Sequence, residues 1–488
     1  MISPGPDFFR QLGPKMLPFA DAASDQLPLG KLLRLSLFQV SVGMATVMLL
    51  GTLNRVMIVE LGVPAILVAV MVALPVLIAP FRALLGFRSD NHRSAIGWKR
   101  VPYLWFGSLW QFGGLAVMPF SLLVLSGDQM VGPAWAGEAL AAIAFLMTGL
   151  GLHMTQTAGL ALASDLATEE TRPRVVALLY VMFLLGMAVS AVVVGALLAD
   201  FSSLRLIQVV QGTAVVTLLL NLIALWRQEN VTPMTKAERA APKPKFSEAW
   251  ADLMSGGGAG RLLAVVAIGA MAFSMQDVLL EPYGGEILGL SVAATTLLTA
   301  MWAGGALIGF ALAARWLSRG HDPYWMTARG LGIGVVGFCA VIFAEPVHLE
   351  VGSIVLFFAG AGLIGLGGGL FGVATLTAAM TMPTSGAAGR GLALGAWGAA
   401  QATAAGVGVA LGGGLRDFVS GAAASGALGP GLANPATGYS FVYHLEIGLL
   451  FLTLVVLGPL ARWRPRAPTT EPREPQSETK IGLAEFPT

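Results

Sequence analysis

Gly86-Phe-Arg-Ser-Asp-Asn-His-Arg-Ser-Ala-Ile-Gly-Trp-Lys-Arg-Val-Pro-Tyr-Leu-Trp105 is a dense basic stretch set between two charge-free runs, Val63–Phe81 and Val101–Ser126. Each run is long enough to cross the roughly 30 Å hydrocarbon layer as a helix, the form that satisfies every backbone polar group from within the segment. The basic stretch is therefore predicted to be a short loop at a membrane surface, and the chain an all-α membrane protein.

Composition agrees. Of 488 residues, 56% are hydrophobic and 11% are charged, against about 25% charged in soluble globular domains. The net charge of +2 carries little by itself, and no basic block suggests nucleic-acid binding. The single cysteine, Cys339, lies in an apolar run; this excludes an internal disulfide, a thiolate metal cluster and a Cys-Cys redox motif and fits a small packing residue. Residues 1–34 contain Asp7, Asp21, Asp25 and several prolines. They lack the apolar core of a cleavable signal peptide and read as a cytoplasmic N-terminal segment.

Apolar runs of spanning length predict twelve helices. The first six lie near 35–58, 63–85, 101–126, 138–164, 174–199 and 205–227. The second six lie near 261–282, 287–316, 326–344, 351–380, 390–415 and 440–461. They form two bundles, 35–227 and 261–462, joined by a polar linker at 228–260 and followed by a disordered tail at 463–488. Within the linker, Phe246, Trp250, Leu253 and Met254 recur at helical spacing, which predicts an amphipathic helix on the membrane surface. Gly256, Gly257 and Gly258 give a flexible re-entry.

Lysines and arginines collect on alternate connections, in 82–100, at Arg172 and Arg174, in 227–261 and 315–329, at Arg390 and in 462–466. The opposite connections carry Asp128, Asp200, Glu281, Glu286 and Glu345, with Arg55, Arg205 and Arg416 near helix ends. Both termini are thus predicted to be cytoplasmic. Leu61-Gly-Val63 enters span two as Leu288-Gly-Leu290 enters span eight, a weak internal repeat of the kind seen in secondary transporters. Along span eleven, Gly398, Ala402, Gly406, Ala410 and Gly414 form a small-residue stripe suited to close helix approach, and the Gly365–Gly372 cluster reads the same way.

Gly86-x-x-x-Asp90 followed by basic residues resembles the signature loop of the major facilitator superfamily. Gly97, Lys99 and Arg100 arrive several positions later than the signature places them, which sets the chain apart from ordinary alternating-access carriers. Longer wording is more specific. Leu53-Asn-Arg-Val-Met-Ile-Val-Glu-Leu-Gly-Val-Pro64, the run Arg88–Gly107 and Leu279-Leu-Glu-Pro-Tyr-Gly-Gly-Glu-Ile-Leu-Gly289 resemble the PucC/LhaA, or bacteriochlorophyll delivery, family over roughly residues 15–465.

The resemblance implies a non-enzymatic protein of the inner, photosynthetic membrane of purple bacteria. It would assist assembly of light-harvesting antenna complexes, carry bacteriochlorophyll as cargo, and have as partners antenna polypeptides, the lipid bilayer and, as candidates, pigment-synthesis enzymes.

Polar groups inside spans are costly and so are candidates for function. His153 and Gln156 sit mid-span in Gly149-Leu-Gly-Leu-His-Met-Thr-Gln-Thr157, where an imidazole can ligate a chlorin magnesium or simply bond a neighbouring helix. Gln39 in span one and Gln276, Asp277 and Glu281 in span seven are the other candidates, because spans one, four, seven and ten line the central cavity in the resembled superfamily. Asp277 and Glu281, one turn apart, read as a proton-binding pair, a solvated rim or a partner for Arg55. The proline and glycines of Glu281-Pro-Tyr-Gly-Gly285 are expected to end that helix.

Gly86, Asp90, Arg93, Gly97, Lys99 and Arg100 read as conformational or topological residues, with Asp90 placed to meet the positive start of a neighbouring helix. Asp165 with Arg172 and Arg174 suggests a similar latch, and Arg390 precedes span eleven. His444 and Glu446 have no evident role. No Walker loop or histidine pair of metal-site spacing is present, so neither a nucleotide nor a free metal ion is expected. The competing readings are a proton-coupled carrier of a small or porphyrin-like solute, with Asp277 or Glu281 as coupling carboxylate, and a pigment-free polypeptide scaffold.

Overall fold

The computed structural model describes residues 22–24, 27–53, 57, 65–94, 96–125, 133, 135–198, 202–230, 233, 235, 244–255, 258–290, 292–345, 350–382 and 388–462. Arg55, Asp128, Asp200, Gly256, Gly257, the stretch 58–64 of the first family-like motif and the 463–488 tail lie outside the described residues.

Span one runs Leu29–Val47 and continues through a π-helical stretch, Met48–Leu53. It therefore starts earlier than the apolar run suggests and takes Lys31 and Arg34 into its first turns. Span two is Ala65–Ile78, a 3-10 turn at Ala79–Phe81, and Arg82–Asp90. The interruption contains Pro80 and follows Pro75 by one turn; neither proline has an N–H to give to an α-ladder. Spans three to six are Val101–Leu125, Ala136–Leu166, Arg172–Leu197 and Ser203–Leu225.

After the linker helix, Phe246–Ser255, span seven is Ala259–Ser274, a 3-10 turn at Met275–Val278, and Leu280–Glu286. Spans eight to twelve are Val292–Ser318, Pro323–Ala344, Glu350–Thr381, Arg390–Ala424 and Thr437–Arg462. Among the described residues, eleven helices are long and apolar enough to cross a membrane. Span two, broken at Ala79–Phe81, is not one of them and stands in the place of the remaining predicted span.

One expectation is corrected. Gly86–Asp90 is the last part of span two rather than a loop, so the connector is confined to 91–100. The Glu281-Pro-Tyr-Gly-Gly segment forms most of the short helix Leu280–Glu286, which ends one residue after Gly285 as expected, and a further break precedes it at Met275–Val278. The linker helix forms where the sequence predicts it, at Phe246–Ser255. It buries Ala249 and Leu253 among Ala83 and Phe87 of span two and Leu392, Ala393 and Ala396 of span eleven. Phe246 stacks edge-on against Phe87 at 5.5 Å. The linker helix is thus packed where the two halves meet.

Within the first half, spans three and four pair closely, as do one and five; within the second, span ten lies against eight and nine. Glycine permits this last approach. A Cβ at Gly369 would come within 2.6 Å of the Ala306 carbonyl in span eight, and one at Gly367 within 2.6 Å of the Gly330 carbonyl in span nine. The predicted span-eleven stripe is only partly an interface: Gly406 meets Val76 of span two, whereas Gly414 faces open space. A second stripe on that span, Gly408 and Gly412, packs on the backbone of Met271 and Met275 in span seven. The halves touch through span two with eleven, four with eleven, and five with eight and ten.

Candidate functional site

The polar residues at the arginine-rich face assemble into a network that ties the halves together. Asp90, the last residue of span two, accepts from the backbone N–H of Gly391 at 2.9 Å and of Leu392 at 2.7 Å. Its carboxylate therefore caps the start of span eleven, where unsatisfied amides and the helix dipole favour a negative charge. Arg100 completes the network. Its guanidinium bonds Asp90, donates to Ser89 Oγ at 2.6 Å and donates to Asp165 at 3.1 Å. Burial disfavours its charge, but Asp90 and Asp165 outweigh that effect and raise its pKa above the ordinary arginine value.

Asp165 also faces Arg390 at 3.8 Å, so the latch at this carboxylate reaches spans three and eleven. Arg172 is buried and Arg174 half-buried at the start of span five. Gly86 lies against the Gly391 backbone so closely that a Cβ would overlap it. Gly97 turns the connector at φ 84°, a conformation that L side chains rarely adopt. Arg93 is half-buried in that connector and Lys99 is exposed.

Glu229, which the sequence reading passed over, caps span three. Its carboxylate accepts from the backbone N–H groups of Lys99 at 3.1 Å, Arg100 at 3.0 Å and Val101 at 3.0 Å. Arg227, at φ 52°, makes the left-handed turn after span six that brings Glu229 back toward this helix start.

Deeper in the bundle, a cavity of about 260 Å³ lies between spans one, two, four, five, ten and eleven. Gln39, His153 and Gln156 all line it, so three of the predicted polar candidates come together. His153 Nε2 lies 2.9 Å from the Pro75 carbonyl. A carbonyl only accepts, so Nε2 carries the proton and the neutral ring presents Nδ1 as an acceptor. Nδ1 is buried without a partner, as is Gln39 Oε1. Gly149 allows this contact, since a Cβ there would come within 2.6 Å of Pro75 Cβ.

The dominant cavity group is one the sequence reading assigned to the loop region. Arg82 is 1% exposed, and its Nε donates to Thr157 Oγ1 at 3.0 Å. Nη2 has no partner. Tyr180, Trp397 and Gln401 complete the polar lining.

Span seven contributes nothing to this lining. Gln276 is buried and donates to Asp277 and to the Phe273 carbonyl, while Asp277 and Glu281 are exposed. Glu446 is completely buried near Tyr443 in the second half, and His444 bonds its own helix through the Ser440 carbonyl at 2.6 Å. A separate groove of about 840 Å³ opens on the outer surface between the start of span three and the end of span six. Trp98, Trp105, Phe106 and Trp226 line it, and Trp98 Nε1 is buried without a partner.

The model of a family described as PUCC protein matches residues 52–464. The chain belongs to the PUCC family. This PUCC-family protein is 66% identical over 97% of both chains to the Rhodobacter capsulatus protein named "Uncharacterized protein in puhA-bchM intergenic region". It is 54% identical to Protein PucC of Rhodovulum sulfidophilum, over 80% of this chain and 86% of that one. Its fold matches a crystal structure of a bacterial homologue of the iron transporter ferroportin in the outward-facing state, with a TM-score of 0.66 at 16% identity, covering 88% of this chain and 98% of that one. It also matches a crystal structure of a Major Facilitator Superfamily transporter, FucP, in the outward conformation, with a TM-score of 0.58 at 16% identity over 91% of this chain and 99% of that one, so the fold is that of the major facilitator superfamily. The family match covers latch, groove and all of the cavity lining except its span-one residues.

Three signals could have located the missed residues of this PUCC-family protein. Arg82 sits within the apolar-to-basic transition, two residues after Pro80. Tyr180 is a polar tip inside an apolar span, and Glu229 is an acid directly after one. Their partners, however, are far away in sequence.

Proposed function

We propose that the protein is a non-enzymatic membrane factor that binds bacteriochlorophyll and delivers it to antenna polypeptides during light-harvesting complex assembly. PUCC-family membership across residues 52–464 carries this reading. In the same reading the arginine-rich face is cytoplasmic, in keeping with the positive-inside rule.

Size favours the outer groove as the pigment surface. Pockets for drug-sized ligands run roughly 300–1,000 Å³, and a bacteriochlorophyll ring with its esterified tail is larger than a drug. The cavity at His153, about 260 Å³, is too small for it in this conformation. The groove of about 840 Å³ opens outward on apolar spans, so a lipid-dissolved pigment can enter sideways. Its tryptophans offer flat faces for stacking, and Trp98 Nε1 supplies a donor for a ring carbonyl. His153 can serve as magnesium ligand only after spans two and four part.

Purification from pigment-replete membranes should yield a preparation with bacteriochlorophyll absorbance. Trp105→Ala with Trp226→Ala should lower the pigment ratio, and His153→Ala should leave it nearly unchanged. Pigment loss in His153→Ala alone would move the ligand site to the cavity. A colourless wild-type preparation would overturn pigment binding. Deletion in the native host, followed by membrane absorption spectra, identifies the client through the antenna band that disappears; unaltered bands would overturn the assembly role.

A further inference from the structure

We propose that the cavity at Arg82 is a binding site for a small carboxylate anion, preferably one that also carries a hydroxyl group. The argument is independent of the pigment reading and begins with charge. Arginine stays protonated in proteins. Arg82 is 1% exposed in the middle of an apolar bundle, and among the described residues no carboxylate pairs with it. Such an unpaired buried cation is strongly disfavoured within a membrane unless an opposite charge reaches it.

Its surroundings define the missing partner. Thr157 occupies Nε, while Nη2 is buried and without a hydrogen bond. Gly398 lies against the guanidinium, where a Cβ would come within 2.5 Å of Cζ, so span eleven offers no side chain there to neutralise it. The cavity beside this group measures about 260 Å³, room for roughly nine water-sized groups and so for a small organic anion. Two further lining groups lack partners, His153 Nδ1 and Gln39 Oε1, and both are acceptors in the neutral state described above.

An occupant that satisfies the set thus presents an anionic acceptor to Arg82 and a donor to His153 or Gln39. A carboxylate matches the planar guanidinium better than a spherical halide does, and a hydroxyl on the adjacent carbon supplies the donor. Glycolate has both groups; acetate has only the first.

Equilibrium binding of radiolabelled acetate to the purified full chain, with unlabelled glycolate and chloride as competitors, tests the assignment. One saturable site per chain is expected, displaced by glycolate at lower concentration than by acetate itself. Arg82→Gln should weaken acetate binding at least about tenfold, the scale of one charge-assisted hydrogen bond. Absence of saturable binding in the wild type overturns the proposal, as does equal binding in Arg82→Gln. Chloride competing as well as glycolate overturns the carboxylate assignment. Should Arg82→Gln fail to fold, Gln39→Leu and Tyr180→Phe serve instead; a severalfold loss in glycolate competition in either supports the site, and no change in both overturns it.

Discussion

Arg100 and Arg82 are both nearly completely buried, at 4% and 1% exposure, yet they sit in opposite chemical surroundings. Arg100 has Asp90, Asp165 and Ser89 within hydrogen-bond reach, and its carboxylate partners in turn bond the Gly391 and Leu392 amides and face Arg390. Arg82 has one threonine and borders a cavity. A fully satisfied network holds two rigid bodies in one arrangement, because every member loses a partner when they separate. A buried cation with spare donors instead stores recognition capacity. The first arginine belongs to the closure between the halves, the second to what the closure encloses.

Breaking the satisfied arginine should have the largest effect. Arg100→Gln leaves Asp90 buried beside the span-eleven cap without its cation, and removing one partner of a buried pair typically costs about 3–5 kcal/mol. Asp165 is about one-third exposed, so the lower part of that range applies. Thermal unfolding in detergent, followed by fluorescence-detected size exclusion, should show a melting temperature well below that of the wild type. An unchanged value would mean that the network does not hold the halves together.

An intermediate effect is expected at Glu229, which sharpens the comparison by testing the satisfied side at its edge. Glu229→Ala removes one acceptor group shared by three backbone donors at the start of span three. Loss of a helix N-cap costs roughly 0.5–2 kcal/mol. Glu229→Gln keeps an oxygen acceptor and should recover part of that loss. If the two variants melt together, the cap acts through charge alone.

Most of the fold was legible in the residues, and the site only partly. Spanning length and charge-free composition are local quantities, and they place the spans with ends off by up to nine residues, as at Ala424 in span eleven. The end of span two was misread for a physical reason. Arg88 and Asp90 look like loop residues to any hydropathy reading, but Asp90 is held in helix by amides of span eleven, some three hundred positions away. The cap was foreseeable in kind, since an acid near a helix start is favoured; which helix it serves was not. Arg82 escaped because a lone arginine at the end of an apolar run ordinarily reaches water by snorkelling. Only Gly395 and Gly398, which admit it against span eleven, make it an interior residue. In span seven, the one-turn spacing of Asp277 and Glu281 suggested a functional pair, yet the 3-10 break at Met275–Val278 separates them in helix type, and Asp277 bonds Gln276 instead.

The smallest effect on stability should come from the second arginine, and its sign carries the comparison. In protein freed of small carboxylates, Arg82→Gln gives up a charge-assisted hydrogen bond to Thr157, worth about 1.5–3 kcal/mol. It also removes the cost of an unpaired buried charge, which acts in the opposite direction. The two nearly cancel, so the melting temperature should stay within a few degrees of the wild type or rise slightly. Adding acetate should then raise the wild-type value and leave that of the variant unaltered, because a ligand stabilises only the state that binds it. A large loss of stability in Arg82→Gln without acetate would show that its charge is already balanced within the fold, and the contrast with Arg100 would disappear.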